Sequence, residues 1–128
     1  MRVNTFDIDG VINLGEFDGI YPGLHDVIIT GRSYEEEPET MAMLNAKGIK
    51  NRVFFNPIPF DKKTRFTSGM HKGKIILQLL KEGYEHGIHF EDDEIQIRAI
   101  KAIVPNVRIV HVVSDLVTKE NVRHLWQK

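Results

Sequence analysis

Met1-Arg-Val-Asn-Thr-Phe-Asp-Ile-Asp-Gly10 opens the chain and decides its fold. Val3, Thr5 and Ile8 are β-formers and Phe6 adds apolar bulk, so the stretch reads as a short buried strand. Asp7 and Asp9 stand at its end, and Gly10 lets the chain turn sharply. A strand's period of two sends both carboxylates to one side. Two buried carboxylates are costly without opposing charge, and a divalent cation is the natural partner. On its own, Asp-x-Asp-Gly is a common pattern that equally fits a capped turn followed by a loop.

Outward from this strand, residues 11–23 hold Gly15, Gly19, Pro22 and Gly23, which break them into turns and leave room for a small flap or hairpin. Asp26–Thr30 reads as a second buried strand ended by Gly31 and Arg32. Ser33, with Glu36 three positions on, can cap a helix whose apolar side holds Met41, Ala42 and Leu44 and which stops at Gly48. Arg52–Phe55 is a third strand, closed by Asn56-Pro-Ile-Pro59. Residues 56–71 carry little pattern. A helix is expected from about Lys72, with Ile75, Ile76, Leu79 and Leu80 as its buried stripe and Gly83 as its stop.

Gly87–Phe90 is a fourth strand running into Glu91, Asp92, Asp93 and Glu94. Ile95, Ala99, Ala102 and Ile103 outline a helix that Pro105 terminates. Val107–Val113 is a fifth strand, and Thr118 is placed to cap a final helix through Leu125 and Trp126. Strands alternating with helices predict an α/β chain: one three-layer α/β/α Rossmann-like domain with a mostly parallel five-stranded sheet.

The 128 residues suit one domain with one core, and no internal repeat is visible. A hydrophobic content of 41%, a charged content of 27% and a formal net charge of -1 describe an ordinary globular chain. That charge provides no global attraction to nucleic acid or membrane. Cys is absent, which excludes disulfides, thiolate catalysis and Cys-based zinc or iron–sulfur sites. The amino terminus enters the first strand directly, with no signal peptide, and no apolar run is long enough to span a bilayer, so the expected location is the cytoplasm.

In a parallel α/β sheet, ligands bind beyond the carboxyl ends of the strands. Asp7 and Asp9 follow strand one, Thr30 ends strand two, and Asp92 and Asp93 follow strand four. Carboxylates and a hydroxyl on one rim, without His or Cys, favour Mg²⁺. With a lysine nearby, such a rim can receive a phosphate. One carboxylate can attack phosphorus, and one two residues on can serve as acid and then base.

Taken together, Phe6-Asp7-Ile-Asp-Gly-Val11, Ile28-Ile-Thr-Gly-Arg32, His71-Lys-Gly73 and Phe90-Glu-Asp-Asp-Glu94 resemble the four motifs of the haloacid dehalogenase (HAD) superfamily. The chain is most similar to its small phosphatases that lack a large cap, and the resemblance spans nearly the whole length. It implies a single HAD-like phosphatase domain over 1–128 with a short flap at about 11–23. It implies Asp7 as nucleophile, Asp9 as general acid/base and Thr30 as holder of the phosphoryl group. It implies Lys72 as the steadying cation, with Lys74 in reserve. Thr30, Gly31, Arg32 and Lys72 would bind substrate. The Mg²⁺ ligands would be Asp7, Asp9 through its backbone carbonyl, Asp92 and Asp93, with Glu91 as a further candidate.

The activity implied is Mg²⁺-dependent phosphomonoester hydrolysis through an aspartyl-phosphate. The alternative is a non-catalytic metal- or phosphate-binding module that recruits a partner. An open site suits a nucleotide, a nucleic-acid end or a phosphoprotein. It also suits a small substrate enclosed by a second copy in a homo-oligomer. Lys62, Lys63, Arg65, His71, Lys72 and Lys74, beside Phe60 and Phe66, read either as a polyanion guide or as a solvated loop. His25, His86, His89, His111 and His124 read as structural or surface residues.

Overall fold

The computed structural model describes residues 1–113 of the chain. Strand β1 (Arg2–Phe6) leads into a small hairpin of β2 (Asn13–Leu14) and β3 (Phe17–Asp18). Then come β4 (Val27–Ser33), a 3-10 turn (Tyr34–Glu36), α1 (Glu37–Ala46) and β5 (Val53–Asn56). The chain continues through α2 (Arg65–Lys81), β6 (Glu85–Glu91), α3 (Glu94–Ile103) and β7 (Ile109–His111). The expected last helix, with its Thr118 cap, lies outside the described residues.

Five strands form one sheet in the order β5-β4-β1-β6-β7, and every pairing in it is parallel. This is a three-layer α/β/α domain of Rossmann-like topology. Alternation along the strands divides the core between the two faces. Val3, Val27 and Ile29 pack with Ile76, Leu79 and Ile100 of α2 and α3. Phe6 and Ile28 pack with Leu44 of α1 and with Ile49 on the other face. Strand order reverses between β1 and β6, and at such a switch point the strand ends part to leave a crevice.

Helix α2 begins at Arg65, seven positions before the expected start. Thr64 caps it, its hydroxyl accepting from Thr67 N–H. Gly69 and Gly73 disguise the helix in sequence, because glycine is a poor helix former. They are there because α3 comes close. A Cβ on Gly69 would sit 2.7 Å from Ala99 Cβ, and one on Gly73 would sit 3.0 Å from Ile103 Cβ. In α3 the buried face is Gln96, Ala99 and Ile100, while Ala102, expected in the stripe, is exposed. Among the described residues, no helix is long and apolar enough to cross a membrane.

Candidate functional site

Asp7 leaves the end of β1 with its N–H donating to Phe90 O of β6 at 3.1 Å. Stacking of Phe6 on Phe90, with centroids 4.5 Å apart, holds the two strand ends in register. The chain then turns back tightly: Val11, Ile12 and Asn13 all donate to Ile8 O. Gly10 has φ +87 in this turn, and a Cβ on it would overlap the Asp92 carboxylate. The loop after β1 therefore lies directly against the residue that follows β6.

Here Asp7, Glu91 and Asp92 come together, each offering a carboxylate oxygen within 4.8 Å of the others'. All three are buried. Lys72, fully buried at mid-helix in α2, reaches down from the covering layer. Its Nζ donates to Asp7 Oδ1 at 2.9 Å and to Glu91 Oε1 at 2.8 Å. Burial, and then the charge of Glu91, push the Asp7 carboxyl up to about 7 against the pull of Lys72. Glu91 Oε2 is buried with no hydrogen-bond partner among the described residues. Excess negative charge, an unsatisfied oxygen and an all-oxygen donor set are what a hard divalent cation such as Mg²⁺ relieves. The cluster is a buried acidic site capable of holding a metal ion.

The other expected residues take different places. Asp9 is not in this group: its carboxylate is clamped by Arg32, from Nε at 2.9 Å and from Nη2 at 2.7 Å. Arg32 Nη1 is in turn held by Thr40 Oγ1 at 3.0 Å. Thr30 is fully buried at the rim, its Oγ1 accepting from Arg32 N–H. Gly31 O accepts from Lys63 Nζ.

Asp93, expected beside Asp92 as a metal ligand, is turned away from the cluster. It caps α3 by accepting from Ile95 N–H, and Arg65 grips both its oxygens at 2.8 and 2.7 Å. Burial alone would raise the Asp93 carboxyl, but the hydrogen bonds and charge of Arg65 bring it below its ordinary value. A residue committed to a cap and a guanidinium has no oxygen aimed at the Asp7 gap.

Several cations of the 60–74 segment are internal. Lys63 is fully buried and pairs with Glu36 Oε2 at 2.7 Å, Arg65 serves Asp93, and Lys72 serves the cluster. From Arg65 onward the segment is helix α2 and not a loop, while Lys62 and Lys74 remain exposed. Beside it, a cavity of about 290 Å³ is walled by Ile58, Phe66, Met70, His71 and Lys74.

Sequence reasoning gave Glu91 a minor place and read His89 as structural or surface. Both face α2 because Thr5 pairs with His89 and Phe6 with Phe90, which carries the alternation from Thr5 to Asp7 across to Glu91. That register was the signal available, but it requires knowing that β1 and β6 are neighbours. No protein-family model matches the chain, and no curated protein is significantly similar to it.

Proposed function

We propose that the chain is a Mg²⁺-dependent phosphomonoesterase of the haloacid dehalogenase type, working through an aspartyl-phosphate on Asp7. The observation that carries this reading is the buried Lys72, bonded to both Asp7 and Glu91 at the switch point of a parallel sheet. Asp7 Oδ attacks phosphorus, and the bond to the leaving oxygen breaks. That oxygen takes a proton from Asp9. Asp9 then accepts a proton from water as the water attacks the phosphoaspartate, releasing phosphate and restoring Asp7. Lys72, with Thr30 and Gly31 at the rim, steadies the phosphoryl oxygens. Arg32 orients Asp9. Mg²⁺, held by Asp7, Asp92 and the Asp9 carbonyl with Glu91 behind them, would add positive charge where negative charge gathers on phosphorus.

Between Asp9 and Thr30 stands only the β2–β3 hairpin, so the domain is read as one without a large cap. An open rim of that kind suits a nucleotide, a nucleic-acid end, a phosphoprotein or a small substrate enclosed by a second copy. The test is Mg²⁺-dependent release of phosphate from an aryl phosphate, with loss of about 10³-fold or more in Asp7→Asn, and trapping of a phosphoryl-aspartate. The Arg32 clamp on Asp9 favours a second reading, a metal- or phosphate-binding module without turnover. Measurable Mg²⁺ binding with no phosphate release from any phosphoester would select it.

A further inference from the structure

A line of hydrogen bonds leaves the carboxylate cluster and runs down the sheet face beneath α2. Glu91 Oε1, already bonded to Lys72, also meets His89 Nε2 at 3.0 Å. His89 Nδ1 meets Thr5 Oγ1 at 2.7 Å, and the same hydroxyl meets His86 Nε2 at 2.9 Å. Thr5, His89 and Glu91 are fully buried, and His86 is half-buried where the line ends.

Two histidines three positions apart on a strand should face opposite ways. They converge here because β6 carries an extra residue: Val3 pairs with His86 but Thr5 pairs with His89. Gly87 sits in this bulge, where a Cβ would overlap Asn4 Oδ1. Asn4 Oδ1 accepts the Ile88 N–H at 2.9 Å. The irregularity is built and satisfied, and its result is that both imidazoles reach one hydroxyl.

The donors along this line can be ordered. Glu91 Oε1 already accepts from Lys72 Nζ, so it meets His89 Nε2 as an acceptor and that nitrogen carries the proton. The Nδ1 of a neutral His89 then accepts, and the Thr5 hydroxyl donates to it. The Thr5 oxygen is left to accept from His86 Nε2–H.

We infer that His86, Thr5 and His89 form a one-way hydrogen-bonded bracket that fixes the carboxylate of Glu91, making Thr5 and His89 positioning residues of the site. Without it, Glu91 would be held at Oε1 by Lys72 alone. A group that orients a metal-site carboxylate typically changes metal affinity by about 10- to 100-fold when removed. The ion-affinity consequence rests on the proposed Mg²⁺ site; the tautomer assignment does not.

The experiment uses the full ¹⁵N-labelled chain. Long-range ¹H–¹⁵N spectra of the wild type should show His89 as a single neutral Nε2–H tautomer with a bare Nδ1. A tautomer mixture, the opposite tautomer or an imidazolium overturns the bracket. Thr5→Val should release that tautomer and weaken Mg²⁺ binding, by calorimetry, about 10-fold, while Thr5→Ser, which keeps the hydroxyl, should restore both. Unchanged Mg²⁺ affinity in a folded Thr5→Val also overturns it. If Thr5→Val does not fold, the wild-type spectrum still decides. A wild type that fails to bind Mg²⁺ sinks the phosphatase reading and leaves the tautomer to judge the bracket.

Discussion

Lys72 Nζ lies 2.9 Å from Asp7 Oδ1 across 65 positions of chain, with both groups buried. A buried ammonium between two carboxylates is costly to break from one side, because the survivors keep their charge out of water. Lys72→Met should destabilise the metal-free protein by about 3–5 kcal/mol in urea at pH 8, and Mg²⁺ should recover part of the loss. A change below about 1 kcal/mol would mean that solvent already reaches this pair.

Asp92 and Asp93 are neighbours with opposite commitments, one to the Asp7 group and one to Arg65. Asp92→Asn should weaken Mg²⁺ at least about 10-fold with little change in the thermal midpoint. Asp93→Ala removes a cap and the partner of the part-exposed Arg65, so it should cost about 1–2 kcal/mol and leave Mg²⁺ affinity near wild type. Calorimetry and thermal melts on the two variants check this. The reverse pattern would put the ion on the wrong aspartate.

Asp9 reaches Arg32, not the carboxylate cluster. Asp9→Asn should keep Mg²⁺ affinity, since only its backbone carbonyl is assigned to the ion, yet lower turnover by about 10²–10⁴-fold. Comparable losses in binding and turnover would remove Asp9 from acid–base work.

His71 is buried on α2, and burial first, then Lys72, lower its imidazole to about 4. The fold therefore favours its neutral form. The stability this contributes is complete above the ordinary value of 6.5 and is lost as pH falls from there towards 4, because the unfolded chain binds a proton that the folded one refuses. Its share of the slope is at most about 1.4 kcal/mol per pH unit. Urea titrations at several pH values should show a shallower acid slope in His71→Leu. An unchanged slope would assign the acid sensitivity to other groups.

Gly10 has φ +87 and lies against Asp92. Gly10→Ala should strain the turn and displace the Asp92 carboxylate, costing about 1 kcal/mol or more from backbone strain and weakening Mg²⁺. Mg²⁺ affinity that survives the substitution would show that the turn has room to yield.

The amino-acid sequence by itself determined the alternation of strands and helices, and with it the parallel sheet. It also placed polar groups at the carboxyl ends of the strands, because hydrophobic period and turn residues are local properties. Asp7 and Asp92 were legible as site candidates because an acidic residue directly after an apolar run has few ordinary uses. The start of α2 was not legible, since Gly69 and Gly73 answer to α3 and not to their own helix.

Only the tertiary structure decided which acid stands where. Glu91 and Asp92 join Asp7 while Asp93 turns to Arg65, because side-chain direction follows from strand pairing and helix start, and neither is written within six residues. The bulge that brings His86 and His89 to Thr5 depends on which strand lies beside β6. Charges that lie far apart in the chain meet only once the sheet order brings their strand ends to one crevice.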